Sequence, residues 1–314
     1  MNILALGEAL IEFTRIENNT DGKPADSEIA TARPLYRQGF GGDTSNAIIA
    51  ATRQGASAAY ITAVGDDPLG NDLLQLWQHE GVDTRCVRQH ATDPTGVYFV
   101  QPHASGRNFS YARRGSAASH YHAEYLPLET IASASILHVS ALTMAISESM
   151  REAVLAACRH ARDSNTLVSF DTNLRLNLWD LETARQAIEE LLPLVNIVFP
   201  SDDEAKQICG ADDSESAINY FKQFEPKIVA LTCGSDGAVI HSDNTTTNIS
   251  ARPSQPIDST GAGDSFAGSF LAHYLETGDI HFAANCAAVT AAATISGYGA
   301  IDPIPSRKTV LENI

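Results

Sequence analysis

The chain has 314 residues, 44% of them hydrophobic, a length that suggests two domains or one large α/β unit with a sizeable core. Its 38 acids against 21 lysines and arginines give a formal charge of -17, which repels phosphate backbones and argues against a nucleic-acid partner. No apolar run approaches the roughly 20 residues of a membrane span. The five widely spaced cysteines, without a CxxC pair, fit free thiols in a reducing cytoplasm and not a disulfide framework or a zinc site.

The start, MNILALGEAL, lacks a basic leader and reads as a first strand, ILALG at 3–7. Apolar runs of four to seven residues then alternate with amphipathic stretches. A helix is expected over 44–55, the strand AAYITAV over 58–64 and a helix over 68–80. The strand ILHVS (136–140) precedes a helix over 147–164, and TLVSF (166–170) precedes one over 180–191. NIVF (196–199), a helix over 202–209 and KIVALT (227–232) continue the pattern. This alternation argues for a mostly parallel sheet with helices on both faces. From Gly261 to about Tyr298 the chain is rich in alanine and small residues, as expected of two closely packed helices.

Two regions break the alternation. Residues 10–40 form a polar, strand-poor segment, and TGVYFVQPHASGRNFSYARR (95–114) reads as a hairpin turning at HASGR. In such a hairpin Val97, Phe99 and Gln101 share a face with Asn108, Ser110 and Ala112. The two regions together suggest a small β lid inserted into one α/β domain spanning 1–314. Trp77 and Trp179 read as packing residues, Cys233 as a small buried thiol and His138 as core. HYHAE (120–124) has metal-binding residue types but falls in a polar connecting segment.

GxxxxGK[ST] is missing, and no GxGxxG follows the first strand, so an anion site must be built differently. The stretch DSTGAGDSF (258–266) is the best candidate. A glycine-rich turn leading into a helix aims several backbone N–H groups at one point and adds the positive end of the helix dipole. Asp264 then stands at the helix start, either as a capping residue or as an acceptor for a substrate hydroxyl proton.

DSTGAGD resembles the second signature of the ribokinase-like (PfkB) carbohydrate kinases, with Ser259 where threonine is usual. GFGGDTSNAIIAATRQG (39–55) resembles that family's first signature, and VGDDPLGNDLLQLWQHEGVDT (64–84) its next βα unit. PSDDEA (200–205) matches an N-x-x-E element, with Ser201 where asparagine is commoner, and LTCGSDGAVI (231–240) resembles the nucleotide-binding strand-turn-strand. The resemblance implies a three-layer α/β/α sandwich of the ribokinase-like kind with a small β-sheet lid, using ATP and Mg²⁺. It makes Asp264 the base and the Gly261, Ala262 and Gly263 amides the stabilisers of the transferring group. It assigns the nucleotide to Ser201, Thr232, Gly234, Ser235, Gly237, Gly261, Gly263 and Asn285, and Mg²⁺ to Glu204 through water. A monovalent cation near Asp258 is also part of the family pattern.

The family resemblance puts the sugar against Gly41, Gly42 and Asn46. Within the family, TGVYF, NFSYARRGSAAS and FDTNLRLNLW resemble the branch that acts on 2-keto-3-deoxygluconate, which adds Tyr98, Tyr111, Arg113 and Arg175. Leu176 and Ala112 depart from that branch, where proline and an aromatic residue are frequent. Physics supports the match, because a sugar carboxylate in a protein of charge -17 needs arginine forks that bind it in bidentate fashion. The expected partners are therefore ATP and a small sugar acid, with no nucleic acid and no membrane, and a homo-oligomer stays open. Alternatives are a fructokinase or other neutral-sugar kinase, and a catalytically silent sugar sensor.

Overall fold

The structure, a computed structural model, describes residues 2–16, 34–103 and 106–314. In chain order its first elements are β1 (Asn2–Leu6), β2 (Leu10–Ile16), β3 (Leu35–Gly41), α1 (Asp43–Arg53), β4 (Ser57–Gly65), α2 (Pro68–His79) and β5 (Val87–His90). A hairpin of β6 (Val97–His103) and β7 (Gly106–Ala112) precedes α3 (Leu128–Ser133), β8 (Ile136–Ser140), α4 (Ala141–Ala145) and α5 (Glu148–Asp163). Next come β9 (Leu167–Asp171), α6 (Leu181–Leu191), β10 (Ile197–Phe199), α7 (Asp202–Cys209), α8 (Ser214–Lys222) and β11 (Ile228–Thr232). The chain ends with β12 (Ala238–Ser242), β13 (Thr245–Ile249), α9 (Ala262–Thr277), α10 (Ile280–Thr294) and α11 (Arg307–Leu311).

Nine strands form the main sheet among the described residues, in the order β13-β12-β11-β10-β9-β8-β1-β4-β5. All its pairings are parallel except those of β12, which is antiparallel to both neighbours. Both faces of a parallel sheet must be covered, so its strands carry apolar residues at successive positions instead of alternating with polar ones. In β1, Leu4 and Leu6 face the core shared with α5, α6, α7 and α8, while Ile3 and Ala5 face α1, α2, α9 and α10. The same split recurs in β11, with Val229 and Leu231 on one side and Ile228 and Ala230 on the other. The result is the expected three-layer sandwich.

The small sheet has the order β3-β2-β6-β7. The hairpin register pairs Val97 with Ala112, Phe99 with Ser110 and Gln101 with Asn108, as the alternation predicts. The segment 10–40 is not strand-poor at its ends. LIEFTRI forms β2, a central strand whose Leu10 lines the cleft and whose Glu12 accepts from Tyr98, while Ile11 and Phe13 pack into the core shared with α1, so both faces carry apolar groups and no simple alternation marks it. Residues 17–33 of the expected lid, and residues 104–105 in its HASGR turn, lie outside the described residues.

Trp77 is fully buried and donates from Nε1 to Ser45 Oγ at 2.9 Å, and Trp179 packs against the α5–α8 core. His138 lies in the sheet 3.0 Å from Ser169 Oγ, where burial pushes its pKa down to about 4. Cys233 is only half-buried. His120 of HYHAE pairs with Asp93, and His122 meets Tyr125 edge-on. No described helix is long and apolar enough to cross a membrane.

Helices α1 and α9 lie in close contact at Gly268. A methyl group there would lie 2.0 Å from the Ala47 carbonyl oxygen and 2.9 Å from Ala50 Cβ. Gly268→Val should therefore force the two helices apart and lower stability by about 1–3 kcal/mol, the usual cost of overpacking. Urea unfolding checks this, and an unchanged midpoint would show that the contact tolerates a side chain.

Candidate active site

The carboxyl ends of the parallel strands open into a cavity of about 780 Å³, within the usual range for ligand sites. Polar residues stand at those ends: Glu8 just past β1, Asp171 closing β9, Ser201 just past β10 and Thr232 closing β11. The small sheet supplies the opposite wall with Tyr98, Asn108, Phe109 and Tyr111.

Two helix N-termini, those of α1 and α9, meet at the cavity. The other described α-helices of eight or more residues each begin with a side-chain cap. Helices α1 and α9 begin at Gly42 and Gly261, and no side chain caps either. The Asp43 carboxylate takes the Thr44 N–H at 2.7 Å and the Ser259 carbonyl takes the Ala262 N–H at 3.3 Å; the other first-turn N–H groups and the positive dipole ends are left for something else, and an anion suits them.

Asp264 is the third residue of α9, not its cap. Its Oδ2 accepts from Asn46 Nδ2 of α1 at 2.8 Å, while Asn46 Oδ1 is buried with no partner among the described residues. Enclosure raises the Asp264 pKa to about 7, with Asp43 adding repulsion and Asn46 and Arg175 opposing it. A carboxylate that titrates there, beside an unused acceptor, suits proton transfer from a hydroxyl.

Carboxylates crowd the neighbouring wall. Asn173 Nδ2 donates to Asp43 Oδ2 at 3.0 Å, and the Asn173 N–H donates to Asp171 Oδ1 at 3.1 Å. Burial raises the Asp171 pKa well above the usual carboxylate range, reinforced by Glu204, Asp264 and Asp43. Glu204 closes a capping box with Ser201 at the start of α7, and it also accepts from Thr172 Oγ1 at 2.6 Å and from the Leu174 N–H at 2.9 Å. Glu204 therefore anchors the 172–175 segment. Among the described residues no cluster of three or more His, Cys, Asp or Glu side chains forms a metal cage. The donor set still fits Mg²⁺ held through water, because mutually repelling carboxylates gain from a hydrated cation beside them.

The two arginines differ. Arg113, with a side chain only 10% exposed, ion-pairs with Glu8, whose other oxygen accepts from Ser116 Oγ at 3.1 Å. Burial nonetheless holds the Glu8 pKa above its ordinary value. Arg175 is 46% exposed, donates to the Leu174 carbonyl at 3.0 Å and stays 3.9 Å from Glu204, so most of its fork is open to the cavity. The Tyr98 hydroxyl donates to Glu12, and its ring stacks on Tyr111 with centroids 5.7 Å apart.

The expected residues Gly41, Gly42, Asn46, Tyr98, Tyr111, Arg113 and Arg175 all line the cavity, as do Ser201, Glu204, Thr232 and residues 259–264. Gly234, Ser235 and Gly237 are not in its lining; they sit on the turn that follows β11. Asn285 is outside it too, on α10, where its side chain bridges Arg252 and the His281 carbonyl. Sequence reasoning overlooked Glu8, Asp43, Asp171 and Asn173. The available signal was a polar residue directly after an apolar strand, together with the DTN that precedes Arg175.

Gly261 and Gly263 serve different ends. Gly261 has φ +78°, and a methyl there would lie 2.8 Å from Ala300 Cβ, whereas a methyl on Gly263 meets nothing within 4 Å. Asp258 fixes the turn by accepting from the Thr260 N–H at 3.0 Å and the Gly299 N–H at 2.9 Å.

The sequence pattern of the pfkB family carbohydrate kinases matches residues 1–307. A 2-dehydro-3-deoxygluconokinase from Thermoproteus tenax is 31% identical over 99% of this chain and 94% of its own length. Fructokinase-1 of Zea mays is 30% identical over 99% of this chain and 97% of its own. The crystal structure of a putative ribokinase II from E. coli, in complex with ATP and Mg²⁺, superposes with a TM-score of 0.88 at 25% identity, covering 99% and 98% of the two chains.

The glycine contrast is testable without any substrate. Gly261→Ala should cost about 1–3 kcal/mol from its left-handed backbone alone. Gly263→Ala, in helical backbone and open space, should leave stability unchanged or slightly raised. Equal unfolding midpoints for the two variants would refute the distinction.

Proposed function

Since the chain belongs to the pfkB family of carbohydrate kinases, we propose that it transfers the γ-phosphoryl group of ATP to the primary hydroxyl of 2-keto-3-deoxygluconate, giving the 6-phosphate. The observation that carries the transfer reading is Asp264, joined to Asn46 between two uncapped helix N-termini. In this reading the substrate hydroxyl donates to Asp264, which Asn46 Nδ2 holds in place, while the unused Asn46 Oδ1 is left to accept from a neighbouring sugar hydroxyl. Its oxygen attacks the γ-phosphorus, the bond to the bridging oxygen of ADP breaks, and the hydroxyl proton passes to Asp264. The Gly261 and Gly263 amides face the charge on the transferring group, the Ala262 N–H being taken by the Ser259 carbonyl at 3.3 Å, and positioning and electrostatics supply most of the catalysis. Mg²⁺ neutralises phosphate charge when bound, and Glu204 and Asp171 are the residues suited to its water shell. The small sheet acts as the lid that keeps water from the phosphoryl group.

The substrate assignment rests on Arg175. In a cavity lined by five carboxylates among the described residues, it is the one guanidinium whose charge no carboxylate pairs closely. A second reading has its own support: Glu8 already neutralises Arg113, which favours a neutral acceptor such as fructose.

Two outcomes are expected. Asp264→Asn should lower kcat by about two to four orders of magnitude, the range for losing a general base. The base works as a carboxylate, so wild-type kcat/KM should fall as pH drops through about 7, and that limb should vanish in the variant. Near-normal turnover by Asp264→Asn would overturn the assignment.

Arg175→Ala should raise KM for 2-keto-3-deoxygluconate by roughly ten- to a hundredfold, the worth of one charge-assisted contact, with ATP affinity little changed. With fructose the same change should cost far less. If wild type prefers fructose, or if both sugars weaken equally, the acid-sugar assignment fails and the kinase reading stands.

A further inference from the structure

Arg53 ends α1, at the opposite end of the helix from Asn46, and is not part of the cavity lining. Its Nε and Nη2 grip the two oxygens of Glu80 at 2.9 and 2.7 Å. Its Nη1 donates to the carbonyls of Ile301 at 2.8 Å and Ile304 at 2.7 Å. Both isoleucines are buried in the core that α1 and α9 share, so these carbonyls are held from two sides. Immediately before them stands Ala300, 1% exposed, the residue against which Gly261 rests. Immediately before that, the Gly299 N–H donates to Asp258. Segment 299–304 is therefore a strap behind the glycine turn, tied at one end to Asp258 and at the other to Arg53.

We propose that Arg53, oriented by Glu80, is a positioning residue that fixes the 299–304 strap and through Ala300 sets the aim of the 259–263 turn toward the phosphoryl group. One rigid fork spans a carboxylate and two carbonyls, which a lysine ammonium does not reproduce. The placement has a mechanical consequence. Helix α1 has 11 residues, about 16 Å at 1.5 Å per residue, and carries Asn46 near one end and Arg53 at the other. The partner of the base and the backstop of the turn are thus indexed to one rigid element. A site of this kind tolerates displacements of only about 0.5 Å, and a shift of about 1 Å costs on the order of a hundredfold in rate.

The inference rests on the reading of residues 259–263 as the phosphoryl turn. The test measures kcat and both KM values of the full chain, with ATP and 2-keto-3-deoxygluconate, or fructose should that be the preferred acceptor. Arg53→Ala, assayed below its unfolding temperature, should lose about 10- to 100-fold in kcat and raise KM for ATP. Its sugar KM should stay within about threefold, because the bonds removed tie the strap and leave the start of α1, with Gly42 and Asn46, in place. Millimolar methylguanidinium should restore part of the rate, and Arg53→Lys should recover less than half of it. Ala300→Gly, which removes only the methyl behind Gly261, should reproduce the ATP-side loss in smaller measure. Unchanged kcat in folded Arg53→Ala, a loss shared equally with the sugar KM, or no response to methylguanidinium overturns the proposal. If Arg53→Ala does not fold, unchanged kinetics in both Arg53→Lys and Ala300→Gly overturn it. Gly263→Val separates the two layers. An active Gly263→Val enzyme removes the phosphoryl turn and this proposal with it, whereas an inactive one beside normal Arg53 variants removes the strap alone.

Discussion

Helices α1 and α9 touch backbone to backbone, and the site depends on that contact. Because Gly268 has no side chain, α9 settles against the Ala47 carbonyl, and the two N-termini open side by side into one cavity. That approach is what lets Asn46, on the first helix, reach Asp264, near the start of the second, across 218 residues of sequence. Nothing in the sheet alone achieves this. The sheet supplies the floor and the strand ends, but the Asn46–Asp264 pair exists only where two helices with small residues at their interface come close.

The cavity also has to manage charge. Its lining carries Glu8, Asp43, Asp171, Glu204 and Asp264 against Arg113 and Arg175 among the described residues. Burial disfavours the charged form, and like charges at short range add their repulsion, so the Asp171 and Asp264 pKa values move up together. A phosphate-bearing ligand would find this wall hostile without a cation. Uncapped helix ends answer part of the problem, because their positive charge is built from backbone dipoles and needs no lysine. The arginines answer another part unequally. Arg113 is spent on the buried Glu8, a pairing that holds the wall together, while Arg175 keeps its charge for the cavity.

Much of the scaffold was legible from local pattern. Short apolar runs such as ILHVS and KIVALT, alternating with helical stretches, read as strands of a sheet covered on both faces, and the observed strands Ile136–Ser140 and Ile228–Thr232 lie where those runs are. Pro68 after Asp67, and Ser201 before Glu204, set helix starts through backbone geometry that one turn decides for itself. Strand β2 was the reverse case. LIEFTRI sits centrally in a small sheet with one face on the cleft and the other on packed aromatics, so its identity as a strand comes from neighbours distant in sequence.

The site divides along the same line. The sequence by itself determined that Gly261–Asp264 is a turn opening a helix, and that Gly42–Asn46 is another, because glycine, helix start and polar residue are adjacent in the chain. It also determined the acidity that makes arginine forks informative. Only the tertiary structure decided that Asp264 faces Asn46 and does not cap its own helix, that Gly261 rests on Ala300 while Gly263 faces open space, and that Glu8 claims Arg113 but no carboxylate claims Arg175 as closely. These outcomes depend on distances between segments far apart in sequence. Such distances are set by how two helices, a sheet edge and a C-terminal strap pack together, and no local spacing encodes them.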